Sequence, residues 1–158
     1  MKNAHTGRKT TEDSCMWGII FALISGALMS IQGVFNTEVT KAGSIWTATG
    51  FVQLTAFLTC VAAWFFSGRE PVMDIFQVEH KYTLLGGVIG AFITYTVIKS
   101  MGDLGPAKAV LIIVVSQVLV AWLIELFGLF GTEKAAFEWH KLIGMLLAIG
   151  GIVVFKWS

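Results

Sequence analysis

Charge is what these 158 residues have least of. Asp, Glu, Lys and Arg together make up 13% of the chain, about half the 25% or so of an ordinary soluble domain. A chain so poor in charge is an integral membrane protein rather than a water-soluble fold. Its net charge of +1 offers no basic field, which excludes nucleic acid as a partner. The two cysteines, Cys15 and Cys60, lack metal-ligand spacing and have no soluble loop to staple, so both read as packing residues. No loop holds a His, Ser or Cys constellation with catalytic geometry. Neither an enzyme, nor a metal centre, nor a cofactor is expected.

Long apolar runs fill the space instead. The chain is 56% hydrophobic with a mean hydropathy of +0.77. Charge-free runs cover Cys15–Phe35, Ala42–Gly68, Tyr82–Ile98, Ala109–Phe130 (interrupted only by Glu125) and Leu142–Phe155. The last has 14 residues, short of the roughly 17–25 that span a bilayer. Lys141 and Lys156 can snorkel, however, and Trp139 and Trp157 bracket the run at interface depth. Trp17, Trp46 and Trp64 mark other span ends in the same way. The pattern predicts an all-α transmembrane domain over 15–158, behind a polar, disordered tail at 1–14. Its five helices fall at about 15–36, 44–67, 82–100, 106–130 and 139–157. The first run is too long for the core of a signal peptide and ends in Gln32 and Asn36. The longest loop, 69–81, holds Pro71 and an interfacial turn over Val72–Val78, while Pro106 suits the start of the fourth helix. No loop can house a soluble domain, so function must sit in the membrane.

The loops give little orientation signal. Lys2, Arg8, Lys9, Arg69, Lys81, Lys134 and Lys141 lie on the N-terminal side, against Lys41, Lys99, Lys108 and Lys156 opposite. That favours a cytoplasmic N terminus. Without the tail the score is level. Two readings stay open: the tail decides, or copies insert both ways and join as an antiparallel dimer around a midplane site. The odd helix count adds weight to the second.

Polar and small residues pick out particular helix faces. On the first helix Gly18, Ala22, Ser25, Met29, Gln32 and Asn36 share a face, either a packing seam or a cavity wall ending in two amides. Trp46, Gly50, Gln53 and Phe57 align on the second, with Gln53 nearest the middle. Gly86, Gly87, Gly90 and Ala91 form a packing seam on the third, followed by Thr94 and a pocket candidate, Tyr95. Gly144, Ala148 and Gly151 on the fifth read as a bundle or dimer contact. The fourth helix is the most informative, because Gln117, Ala121, Glu125 and Gly128 recur at helical spacing with Trp122 beside them. Glu125 is the one carboxylate well inside an apolar run, and such a group is a functional-site hypothesis by default. It lies roughly 10 Å off the centre of its run at 1.5 Å per residue. The plain reading is an interfacial carboxylate that reaches headgroups or pairs with a lysine, against which the uncharged stretch Leu126–Phe130 argues. A carboxylate kept from water holds a proton more readily and can exchange it for a cation. Inverting one copy brings its Gln32 to the depth of its partner's Glu125, so an antiparallel pair would build one site from acid, amides and Trp122.

Four stretches carry a resemblance: Leu104-Gly105-Pro106, Ser116-Gln117, Glu125-Leu126-Phe127-Gly128-Leu129-Phe130-Gly131 and Leu142-Ile143-Gly144. Together they resemble the short YdcZ-type family of the drug/metabolite transporter superfamily, over about residues 17–157. Gln117 and Glu125 keep the spacing of that family's Gly-Gln pair and its Asp-His-Phe-Gly-like segment. Gln32 and Asn36 match its first-helix amides, and Gly86, Gly87, Gly90, Ala91 and Phe92 its glycine block. Ser116 stands for the expected Gly, Glu125 for the Asp and Leu126 for the His, which removes the histidine of any acid–histidine relay here. The plan is also similar to the small multidrug resistance proteins, though the first helix lacks their Glu. The resemblance implies a five-helix half-unit of the bacterial inner membrane, pairing with a second copy or a paralogue of opposite orientation into a ten-helix bundle. The function implied is export of a small metabolite or lipophilic cation, proton-coupled through Glu125. Gln117, Trp122, Gln32, Asn36, Gln53 and Tyr95 join Glu125 as candidate binding or coupling residues. A dual-topology channel and an accessory membrane subunit are the alternatives.

Overall fold

Lipid gives apolar helices no hydrophobic reason to associate, so their contacts fall where small residues let backbones approach. The computed structural model describes the backbone of residues 4–156 and the side chains of 15–155. Its helices are α1 (Ala4–Val39), α2 (Ile45–Phe66), α3 (Gly86–Leu104), α4 (Pro106–Phe127) and α5 (Trp139–Lys156), with no strand among the described residues. Four segments are long and apolar enough to cross a membrane: Cys15–Ala42, Ile45–Phe66, Lys81–Leu104 and Pro106–Phe127. The apolar helix Trp139–Phe155 is shorter. Residues 1–3 of the polar segment, and Trp157, lie outside the described residues, while the backbone from Ala4 onward already belongs to α1.

Local chemistry sets the boundaries. Ser44 caps α2, its hydroxyl accepting from the Thr47 N–H at 3.1 Å, the usual role of an N-cap serine. Past α2, Gly68 (φ 107°) and Arg69 (φ 56°) turn the chain. The strained Arg69 is held by its guanidinium 4.0 Å over the Phe65 ring, a cation–π contact, and the Trp64 Nε1–H donates to the Glu70 carbonyl at 2.9 Å. The loop then carries a 3-10 turn over Val72–Gln77. α3 runs on to Leu104, beyond the 100 expected, with Lys99 paired to Asp103 one turn later at 3.1 Å. The link to α4 is thus Gly105 alone, at φ 81°, and Pro106 opens α4, where a missing N–H is harmless.

α3 is the hub, packed against α1, α2 and α4, while α5 packs on α4. The α1 contact centres on Gly33, which is buried. A Cβ there would overlap Met101 Cε and stand 2.6 Å from its Sδ. The α2 contact uses Gly90, 3.5 Å from Gln53 Nε2 by the same measure, and Trp46, stacked on Tyr95 at 4.5 Å and edge-on to Phe92 at 6.2 Å. Gly86 and Gly87, expected in the same seam, make no close approach: a Cβ at either meets nothing within 4 Å. They lie at the first turn of α3, before the helices converge. Cys15 and Cys60, expected to pack, are both exposed. They sit in stretches of α1 and α2 where no described residue is buried.

Burial is confined to one end of the four-helix group. Gly33, Asn36, Ala48, Thr49, Ile98, Met101 and Ala109 are the buried residues described in α1–α4, and all lie toward the end that carries Lys41 and Asp103. Toward the Glu125 end the same helices keep their sides free. The chain exposes 12678 Å², against about 7,800 Å² for a compact monomer of this mass.

The close approach at Gly33 is directly testable. Gly33→Leu should destabilise the detergent-purified protein by about 1–3 kcal/mol, the usual range for overpacking. Gly26→Leu on the same helix, where a Cβ meets nothing within 4 Å, should stay within about 0.5 kcal/mol of the parent. Thermal unfolding followed by tryptophan fluorescence reads both, and equal shifts would refute the contact.

Candidate substrate site between α4 and α5

The site is built by the way α4 ends. Gly128 adopts a left-handed conformation (φ 63°), and a Cβ there would come 3.4 Å from the Thr132 carbonyl and the Lys134 side chain. Glycine fits such a position without strain. The Glu125 carbonyl accepts from the Gly128 N–H and, at 2.9 Å, from the Ala135 N–H. The Thr132 hydroxyl donates to the Leu129 carbonyl at 2.8 Å. These bonds fold residues 129–138 back against the helix end. Phe137 then sits 5.7 Å from Trp122 and 5.2 Å, edge-on, from Trp139, which brings in the first turn of α5.

That turn carries Lys141, whose Nζ lies 3.6 Å from Glu125 Oε2. Each charge occupies the wrong end of its own helix. Glu125 stands in the last turn of α4, where the helix dipole is negative, and Lys141 in the first turn of α5, where it is positive. Pairing relieves both. α4 stops at Phe127, short of the 130 expected, because Gly128 breaks the helix there. Of the uncharged residues after Glu125, Leu126 and Phe127 finish the helix and Gly128–Phe130 belong to a turn, so the span ends within one turn of the acid. The two side chains are 52% and 39% exposed respectively.

From this ion pair an apolar groove of about 400 Å³ runs along the α4–α5 seam. Val114, Val118, Ala121 and Trp122 form the α4 wall, with Gly144, Met145 and Ala148 on α5. Gly144 and Ala148, expected as a contact seam, border open space: a Cβ at Gly144 meets nothing within 4 Å. Met145, 7% exposed, is the buried residue described in α5 and makes its contact with the rest.

The other candidates fall elsewhere. Gln117 is exposed on α4 and outside the groove. Gln53 and Tyr95 belong to the α2–α3 interface. Gln32, exposed, and Asn36, 7% exposed, border a second hollow of about 490 Å³ lined by α1 alone. Within one chain, then, Trp122 is the candidate that shares the groove with Glu125. Sequence reasoning named Lys141 merely as a snorkelling cation. Its place in the first turn of a helix, where a cation is unfavourable, was the signal that it has a partner.

An all-helical chain with four helices able to cross a bilayer and its acid beside an apolar groove is a multi-pass membrane protein. Residues 17–154 match the family described as "Putative inner membrane exporter, YdcZ", and the chain belongs to that family. It is 20% identical to inner membrane protein YdcZ of Escherichia coli (strain K12) over 144 residues, which is 89% of this chain and 95% of the relative. No solved structure matches it. Its place is the inner membrane.

The ion pair predicts coupling between its two members. Glu125→Lys and Lys141→Glu should be non-additive: each alone sets like charges together while gaining at its helix end, and the double reversal should restore a coupling of about 0.5 kcal/mol, as for a half-exposed pair. A double-mutant cycle measures this, and strict additivity would show that the two charges do not meet.

Proposed function

We propose that the chain is a secondary active exporter that works as one half of a ten-helix unit. α5 serves as a fifth span, its 18 residues covering about 27 Å at 1.5 Å per residue, close to the roughly 30 Å of a bilayer's hydrocarbon core. The partner is a second copy, or a paralogue, in the opposite orientation. The substrate is a small metabolite or lipophilic cation, and Glu125 couples its movement to protons. One observation carries this reading: the family's acid stands at the end of an apolar, ligand-sized groove, held by a single breakable ion pair.

Two further features support the pairing. The surface excess and the burial at one end only leave ample apolar area for a partner. The α1 face bearing Gln32 and the α4–α5 groove are both free, and inverting one copy brings them to one depth. Against this, the 3.6 Å ion pair also favours a structural reading, in which Glu125 only clasps α5 to α4 in an accessory subunit.

Proteoliposomes loaded separately with labelled tetraphenylphosphonium and with a labelled amino-acid mixture separate the readings. Export predicts saturable efflux of at least one probe, accelerated by a pH gradient and reduced at least about tenfold in Glu125→Gln, the loss of one charge-assisted contact. Efflux unaffected by Glu125→Gln, or absent for both probes while the variant is less stable, supports the clasp. Tags on both termini should be found on both faces of the membrane if the partner is an inverted identical copy.

A further inference from the structure

The α4–α5 groove offers more than a carboxylate. Its polar end holds one negative and one positive side chain, 3.6 Å apart, and the rest of its wall is aliphatic or aromatic. We propose that the groove binds a small amphipathic zwitterion of the α-amino-acid type, its ammonium on Glu125, its carboxylate on Lys141 and its apolar substituent in the groove. The proposal rests on the exporter reading and names its substrate class.

The argument is one of charge balance. With no ligand, Glu125 and Lys141 neutralise each other. A ligand carrying only a cation would take Glu125 and leave Lys141 unpaired at a helix N-terminus, where the dipole already opposes it. A purely anionic ligand would strand Glu125 at a helix C-terminus in the same way. A zwitterion replaces one ion pair by two and strands neither. Its two charges, on neighbouring carbons, suit two side chains that already stand side by side.

The walls set the remainder of the ligand. Val118, Ala121 and Ala148 present no hydrogen-bonding side chain, and Trp122 adds an aromatic face beside the acid, so the substituent is apolar. The space comes from Gly144, whose missing side chain leaves the α5 wall open. About 400 Å³ lies near the low end of small-molecule sites, roughly 300–1,000 Å³. That is room for one compact apolar substituent.

Binding can be read without transport, on the detergent-purified full chain, by scintillation proximity with labelled L-phenylalanine. The competitors are unlabelled L-phenylalanine, L-phenylalanine amide (cation only), N-acetyl-L-phenylalanine (anion only) and phosphatidylethanolamine. The expected result is competition by phenylalanine at least about tenfold stronger than by either singly charged analogue, the worth of one charge-assisted hydrogen bond. In Lys141→Gln the preference for phenylalanine over its amide should fall to near unity, because no lysine is left to reward the carboxylate. Gly144→Leu should abolish binding while leaving thermal stability unchanged. Equal competition by the amide in the parent protein, displacement by phosphatidylethanolamine alone, undiminished binding in Gly144→Leu, or no binding of phenylalanine would each overturn the proposal. A parent that fails here yet exports tetraphenylphosphonium under a pH gradient loses the zwitterion and keeps the exporter. One that binds phenylalanine but moves neither probe keeps the site and loses the exporter.

Discussion

The structure depends on how closely other helices can approach α3. Inside a bilayer the tails around a helix are as apolar as its neighbours, so association rests on packing and on the few polar contacts available. Gly33 supplies that closeness for α1, where Met101 fills the space a side chain would take. Gly90 supplies it for α2, where Gln53 lies against the bare backbone and the Trp46–Tyr95 stack extends the contact. For α4, the single-residue link at Gly105 brings Ala109 into the same buried cluster. Apart from Gly90 and Gln53, which meet in the other half of α3, the buried contacts lie at one end. Four helices pinned there and free at the other have sides available both to lipid and to a partner.

α5 stands outside this arrangement, and its situation accounts for the groove. Having no place on α3, it is held to α4 by Met145, by the run of rings from Trp122 through Phe137 to Trp139, and by the Lys141–Glu125 pair. These attachments lie in the first half of the helix, and at its far end Ile152 and Phe155 share a small hollow with Lys108, Leu111 and Ile112 of α4. Small residues, Gly144 and Ala148, face α4 between and beyond them, so the two helices run together without filling the space. Groove and ion pair therefore share one cause, a peripheral helix packed on α4 through small residues.

Much of the fold is legible in the residue pattern, because the signals are local. Bilayer thickness sets run lengths, Ser44 and Pro106 start helices, and Gly68, Gly105 and Gly128 stop them. Which glycine makes a close contact is not local. Gly86, Gly87 and Gly90 look alike in sequence, yet only Gly90 meets a neighbour, because the rotation and crossing of α2 over α3 decide it. Gly33 escaped notice for the same reason, lying beside the small-residue face that seemed the obvious seam. The site is legible in half. Glu125 and Trp122 stand out by composition and helical spacing, whereas Lys141 reaches Glu125 only through the fold of residues 129–138. That fold hangs on the Ala135 hydrogen bond to the Glu125 carbonyl, a contact with no sequence signature. The unfavourable end-charges on both helices were readable, and they are the kind of local conflict that marks a functional or compensated site.

The ion pair also bears on how an acid in this position can serve transport. Removing one partner of a fully buried salt bridge is costly, about 3–5 kcal/mol, and a carboxylate so held could not readily change partners. An entirely exposed carboxylate would trade partners with water and discriminate little. Glu125 lies between these limits, half-exposed, with a lysine 3.6 Å away and an apolar groove on its other side. On the proposed reading, exchanging Lys141 for a ligand's ammonium would replace one modest interaction with another of similar size. Because the same lysine helps hold α5 to α4, on the same reading a cation that took Glu125 would release that hold, whereas a zwitterion would bridge the two helices in its place. On that reading, occupancy of the groove and the position of α5 would be linked through one side chain.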